Sequence, residues 1–202
     1  MNLFYNKEGI GDTLIVTLGS TDREDRSVER KGSVARVFSQ ESNQTVGYNI
    51  FDISKSYNID ATGVVEESEE LISEVNRILK ENGFEDELVY DASPKFVVGL
   101  VEEMTKHPNA DKLNICQVNV GDARLQIVCG APNVDQGQKV VVAKVGAVMP
   151  SGMVIKDASL RGIESSGMIC SAKELDLPDA PKEKGILVLS EDYEIGSEFK
   201  TY

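Results

Sequence analysis

The alternation of apolar and polar positions divides this chain of 202 residues into two β-patterned stretches separated by one stretch of helical period. Thr13-Leu14-Ile15-Val16-Thr17-Leu18 is a short apolar, β-branched run closed by Gly19-Ser20, and it predicts a strand. Val34–Ser39 and Thr45–Phe51 predict two more, with the polar stretch Gln40–Gln44 as their hairpin connection. The period then changes. Leu71, Ile72, Val75, Ile78 and Leu79 recur at helical spacing, which predicts a helix over residues 63–82 with one apolar face. Thr62 is the expected cap. Glu66 and Glu67 suit the positive end of the helix dipole, Lys80 suits the other end, and Gly83 can take the left-handed stop. Residues 84–93 are polar and acidic and end at Pro94, so the domain boundary is placed there: 1–93 as an α+β domain, 94–202 as a second domain.

From Pro94 onward the pattern is strands and tight turns. Phe96–Met104 is the first strand. His107-Pro108-Asn109-Ala110-Asp111 follows as a type I turn with Pro108 and Asn109 at its centre. Leu113–Val120 alternates, with Cys116, Val118 and Val120 on one face and Gln117 and Asn119 on the other. Gly121-Asp122 has the form of a two-residue II′ hairpin loop leading into Leu125–Cys129. Val140–Val145 is a fourth strand, Pro150-Ser151-Gly152 a turn, and Arg161–Gly167 a loop before Met168-Ile169-Cys170-Ser171. About five strands with Gly at the bends predict a small closed barrel. The expected fold class is therefore mainly β, with an α+β N-terminal domain and a C-terminal β-barrel.

Charge changes this picture. The net charge is -13, which opposes binding of nucleic acid through bulk electrostatics. The excess is uneven: residues 1–93 hold 9 Lys and Arg against 19 Asp and Glu, and residues 94–202 hold 12 against 15. Only the second domain can carry a basic face, and the first should repel phosphate. The three cysteines, Cys116, Cys129 and Cys170, have no regular spacing and lie in or beside apolar runs. They read as reduced thiols packed as small hydrophobes, not as disulfides or zinc ligands. No run approaches the ~20 apolar residues of a membrane span, and the N-terminus lacks a basic start and an apolar signal core, so a cytoplasmic location is expected.

Four ordered motifs add a specific expectation. Val98-Gly99, His107-Pro108-Asn109-Ala110-Asp111-Lys112-Leu113, Val128-Cys129-Gly130-Ala131-Pro132-Asn133-Val134, and Arg161-Gly162 with Ser166-Gly167-Met168-Ile169-Cys170-Ser171 resemble the tRNA-binding domain family. The likeness is nearest to the module near the start of the bacterial phenylalanyl-tRNA synthetase β subunit, and includes Lys144–Pro150 and Glu174-Leu175. It covers about half the chain. The acidic domain plus barrel together resemble free-standing bacterial tRNA-binding proteins. The resemblance implies an OB-fold barrel, tRNA as partner, no catalysis, no cofactor and no metal. The family also contains dimers, so a homodimer is one expectation.

OB folds bind nucleic acid on an open face and its bordering loops, and structured RNA is read through phosphate and 2′-hydroxyl contacts. The candidate contacts are Lys95, Lys106, Lys112, Arg124, Lys144, Lys156 and Arg161, with Asn133, Ser166 and Ser171 as hydrogen-bonding groups. Arg161 reads either as a fork for phosphate or as a structural donor to loop carbonyls. Lys112 reads as a phosphate contact or as solvation of a strand start, and Asn133 as an RNA contact or as a cap for residues 135–138. His107, the sole histidine, reads as a structural hydrogen-bonder, and Gly130 and Gly167 as residues required by backbone geometry. No Phe, Tyr or Trp lies between residues 97 and 192. A barrel without stacking platforms suits a folded RNA surface better than a single strand. Two alternatives stand beside this reading. One is a protein-interaction module of translation or synthetase assemblies, docking a basic partner on the acidic domain. The other is an enzyme with Cys129 or Cys170 as nucleophile and His107 as base.

Overall fold

The computed structural model describes residues 1–200, and these form two compact units that meet in sequence at Ala92 and Ser93. The first unit contains strands β1 (Asn2–Tyr5), β2 (Thr13–Thr17), β3 (Arg26–Lys31), β4 (Val34–Ser39), β5 (Thr45–Phe51) and β6 (Gly63–Val65), a short helix α1 (Lys7–Ile10) and the helix α2 (Glu69–Glu81). Its antiparallel sheet has the order β3-β4-β5-β2-β1-β6. The registers align Leu3 with Val16 and Val16 with Tyr48, and Tyr5 with Leu14 and Leu14 with Ile50. One face of the sheet is thereby apolar, and it packs in one cluster with Leu71, Ile72, Val75, Ile78 and Leu79 of α2. Burying each such side chain stabilises by roughly 1.5–3 kcal/mol, which holds a 13-residue helix that would be marginal alone.

Three strands in this unit, β1, β3 and β6, escape the apolar pattern, and the third corrects the helix start. Gly63, Val64 and Val65 pair with Tyr5, Phe4 and Leu3 instead of opening the helix. Gly63 sits at φ +98, outside helical space. The cap is Ser68, not Thr62: its hydroxyl accepts from the Leu71 N–H at 3.2 Å, and Glu69 and Glu70 occupy the first turn in place of Glu66 and Glu67. Lys80 lies in the last turn and Gly83 is left-handed at φ +76, as expected. The acidic stretch after the helix is more than a linker. Phe84 and Leu88 are buried, Asn76 clamps both backbone groups of Leu88 at 2.8 Å, and Asp86 accepts the Tyr48 hydroxyl.

The second unit contains β7 (Phe96–Lys106), β8 (Asn114–Asn119), β9 (Arg124–Cys129), β10 (Lys139–Ala143), β11 (Asp157–Leu160), β12 (Ile163–Ser166), β13 (Met168–Ile169) and β14 (Val188–Leu189). The order β13-β10-β7-β8-β9 wraps into an OB-like barrel, with β14 also on β10. Closure comes from β12 lying against β9: the Val128 N–H donates to the Ser165 hydroxyl at 3.0 Å, and the Gln126 amide donates to the Glu164 carbonyl at 2.7 Å. Gly167 then turns the chain into β13 at φ +106, where a Cβ would stand 2.9 Å from the Ala143 carbonyl oxygen. No larger residue fits that closure. After Lys139, β10 is apolar because both of its faces are covered: Val140 and Val142 enter one apolar cluster, Val141 and Ala143 a second with Met149, Cys170 and Leu175. Gly121-Asp122 forms the expected two-residue turn, with Gly121 at φ +91 and the Val120 N–H bonded to the Ala123 carbonyl. Residues 161–167, expected as a loop, are mostly strand. β11 and β12 form a hairpin with Arg161-Gly162 as its tip, at φ +50 and +86.

Candidate nucleic-acid interface

Strand direction sorts the cations of the barrel onto two ends. β7 and β8 are antiparallel, so Lys106 at the end of β7 faces Asn114 at the start of β8, and Asn114 in turn faces Cys129 at the end of β9. The turn between β7 and β8 and the loop after β9 therefore share one rim. Pro108 and Asn109 occupy the centre of that turn as expected, closed by the Ala110 N–H on the His107 carbonyl. His107 is 4 % exposed, and both of its ring nitrogens are engaged. Nδ1 accepts from the Asn109 N–H at 3.0 Å, which leaves the proton on Nε2 to donate to the Leu160 carbonyl, also at 3.0 Å. Arg161 adds a second link, its Nη1 donating to the Asn109 carbonyl at 3.1 Å. The tip of the β11–β12 hairpin is thus pinned to the turn, which places Lys106, Lys112 and Arg161 on the same rim. All three side chains are exposed, and none forms an ion pair among the described residues.

The remaining predicted residues are placed differently. Lys95 and Lys144 lie at the opposite end, joined by the Lys144 N–H on the Lys95 carbonyl, and the Lys144 ammonium pairs with Asp122 at 3.1 Å. Arg124 is at that end too and is held by Glu102 at 3.0 Å and Glu103 at 2.8 Å. Lys156 is exposed at the base of the hairpin. The three neutral groups have internal duties. Ser166 donates to Asp157 at 2.6 Å across the hairpin. Ser171 and Glu174 cap one another reciprocally, the Ser171 N–H and hydroxyl on the carboxylate and the Glu174 N–H on the hydroxyl. Asn133 caps nothing in residues 135–138. Its amide donates to the Ile186 carbonyl at 3.0 Å and accepts the Ile186 N–H at 2.8 Å, a clamp across 53 residues of sequence.

That clamp reveals a feature absent from the sequence reading. A groove of about 760 Å³ runs between the 130–133 loop, the 171–174 turn and residues 181–187. Lys173, Lys182 and Lys184, all exposed, are among the residues that line it. The signal available in the sequence was the compact run Pro181-Lys182-Glu183-Lys184-Gly185, but only the long-range clamp by Asn133 brings it to the barrel.

The cysteines have no thiolate character. Cys116, Cys129 and Cys170 are free and buried, and burial pushes all three thiols up, those of Cys116 and Cys170 to about 12. Neither ring nitrogen of His107 contacts a sulfur among the described residues. The unfolded thiols would ionise near pH ~8.5. Protection of the protonated thiol therefore stabilises the fold fully below that pH, and the contribution is lost as pH rises through the folded values. The expected result is a urea midpoint for the barrel that falls between pH 8 and 10. A flat profile would show that burial does not hold these thiols protonated.

Comparison with known proteins gives the barrel its relatives. The family described as "Putative tRNA binding domain" matches residues 96–198, and a domain of unknown function (DUF4479) matches residues 21–91. The chain is 64% identical over 200 residues to the Bacillus subtilis (strain 168) protein named "Putative tRNA-binding protein YtpR", covering 99% of this chain and 100% of that one. It is 54% identical over 117 residues to the phenylalanine–tRNA ligase β subunit of Oceanobacillus iheyensis, and 58% identical over 103 residues to that of Oleidesulfovibrio alaskensis. These matches cover 55% and 51% of this chain but only 14% and 13% of the ligase subunits. With its barrel matched from the first strand onward and its whole length shared with a free-standing relative, the chain belongs to the tRNA-binding domain family.

Proposed function

We propose that the protein is a non-catalytic tRNA-binding protein, and that it reads the folded surface of tRNA through phosphate contacts at the rim of Lys106, Lys112 and Arg161. The observation that carries this is Arg161 itself. A hairpin tip of this kind favours Asn or Gly, because other side chains in the left-handed region cost about 1 kcal/mol or more. Arg161 holds that conformation at φ +50 at the tip, on the same rim as Lys106 and Lys112, which form no ion pair among the described residues. Backbone strain of this kind clusters at functional positions. The lack of aromatic side chains between residues 97 and 192 favours contact with a shape over stacking of bases. The 64% relative, named for tRNA binding, supports the same partner.

Titration of the full chain with folded tRNA, a hairpin and a single strand tests this reading. Folded tRNA should bind most tightly, and log K should fall with log salt at a slope of about -3 or steeper, since each phosphate contact contributes about -0.9. A flat salt dependence, or absence of tRNA binding at low salt, would sink the proposal.

The acidic first unit supports a second partner. With 9 basic against 19 acidic residues, positions 1–93 suit a basic protein and not RNA. Capture of a basic protein by the full chain, resistant to nuclease and lost at high salt, is the expected result. Capture that disappears with nuclease would assign it to RNA instead.

A further inference from the structure

The groove beside the rim is built, not incidental. Residues 181–187 cross it as a strap tied down at its far end. Asn133 holds both backbone groups of Ile186, and the Leu187 N–H bonds to the Cys170 carbonyl at 2.9 Å. Gly185 is required by this arrangement, because a Cβ there would lie 2.7 Å from the Asn133 side-chain oxygen. The 171–174 wall is set by the Ser171–Glu174 capping pair, which holds one carboxylate oxygen of Glu174. Two acidic residues, Glu174 and Glu183, line the groove against the three cations Lys173, Lys182 and Lys184, so its lining carries a small positive excess. None of those three lysines forms an ion pair or a side-chain hydrogen bond among the described residues, whereas Arg124, Lys139 and Lys144 of the same unit are all paired.

The groove is also continuous with the rim. Gly130 lines it, and a Cβ on Gly130 would lie 3.8 Å from the Lys112 carbonyl oxygen and 3.1 Å from the Leu113 side chain. The 130–133 loop, itself uncharged, thus lies between the His107–Lys112 turn on one side and the lysine-bearing strap on the other. A chain of phosphates a few ångströms apart is the ligand that such a row of separated point charges suits. A single small anion would need converging donors, and the floor of Met168, Ile169, Ala172 and Leu187 offers none from side chains.

We propose that Lys182 and Lys184 on this strap, with Lys173 opposite, form a second sugar–phosphate contact site that extends the rim and receives the RNA strand leaving it. This rests on the tRNA-binding reading. Lys182 and Lys184 are exposed, so their replacement leaves the core untouched. Binding of folded tRNA by the full chain should be measured for Lys182→Ala/Lys184→Ala, for Lys106→Ala/Lys112→Ala, and for Lys55→Ala/Lys80→Ala, which makes the same change of net charge in the first unit. The strap variant is expected to bind about 10- to 50-fold more weakly at ~0.1 M salt, with a salt slope shallower by about 2. The first-unit variant is expected to keep the wild-type slope. If wild type binds and the rim variant weakens while the strap variant does not, the strap site is overturned and the rim stands. If the first-unit variant weakens binding as much as the strap variant, bulk charge explains the effect and the site is again overturned. If the wild-type chain does not bind tRNA, the underlying reading fails with it.

Discussion

The triple replacement Lys106→Ala/Lys112→Ala/Arg161→Ala is expected to lower tRNA affinity on the order of 100-fold at ~0.1 M salt and to flatten the salt slope by nearly three. The reason is local. These cations carry no internal partner carboxylate among the described residues; the Asn109 carbonyl takes one nitrogen of Arg161, and its other donors and the two ammonium groups are left to meet phosphate. Arg124 gives the contrasting case. Its two glutamates would have to be abandoned before it could contact RNA, so Arg124→Ala should leave affinity within about twofold. Arg161→Lys separates charge from geometry: it keeps the charge but loses the planar fork, and it should fall between wild type and alanine. Anisotropy titrations at three salt concentrations decide the matter. An unchanged slope in the triple variant would move the interface away from this rim.

His107→Ala is expected to destabilise the barrel by about 2–4 kcal/mol and to weaken RNA binding as well. The first effect follows from removing a buried ring and leaving the Asn109 N–H and the Leu160 carbonyl without their partner. The second follows because that ring pins the hairpin carrying Arg161 to the turn carrying Lys112. The loss of stability should be confined to the second unit, since each unit has its own apolar clusters. Hydrogen exchange resolves the two: amides of β11 and β12 should lose protection while those of α2 keep theirs. If the hairpin stays protected in the variant, His107 is not the pin.

Much of this was legible in the chain because the signals were local. The hairpin turn at Gly121, the His107 turn and the apolar face of α2 each depend on a few neighbouring residues, and the structure contains all three. What escaped had its cause elsewhere in the sequence. β6 is a strand because β1, 60 residues earlier, offers it an edge, although the helical period tempted an earlier helix start. β3, with the sequence Arg-Ser-Val-Glu-Arg-Lys, hides its strand nature under charges suited to an exposed edge. The site shows the same division. Residue type marked Arg124, Lys144 and Ser166 as ligand groups as readily as Lys106, Lys112 and Arg161, because the acids that engage the first set come from other strands and turns. Lys182 and Lys184 went unnoticed for the converse reason: the residue that places them is Asn133, about 50 positions away.

The empty interval of aromatic residues in the barrel has an optical consequence. The protein contains no tryptophan. Among the described residues, Tyr5, Tyr48, Tyr57 and Tyr90 belong to the first unit, and Tyr193 alone to the second. The rings of the second unit gather around Phe96, Tyr193 and Phe199, at the end of β7 opposite the rim. Intrinsic fluorescence and near-ultraviolet dichroism therefore report the acidic unit and are nearly blind to the surface where RNA is expected. A single tryptophan introduced on the rim, excited at wavelengths beyond tyrosine absorption, would report that surface alone.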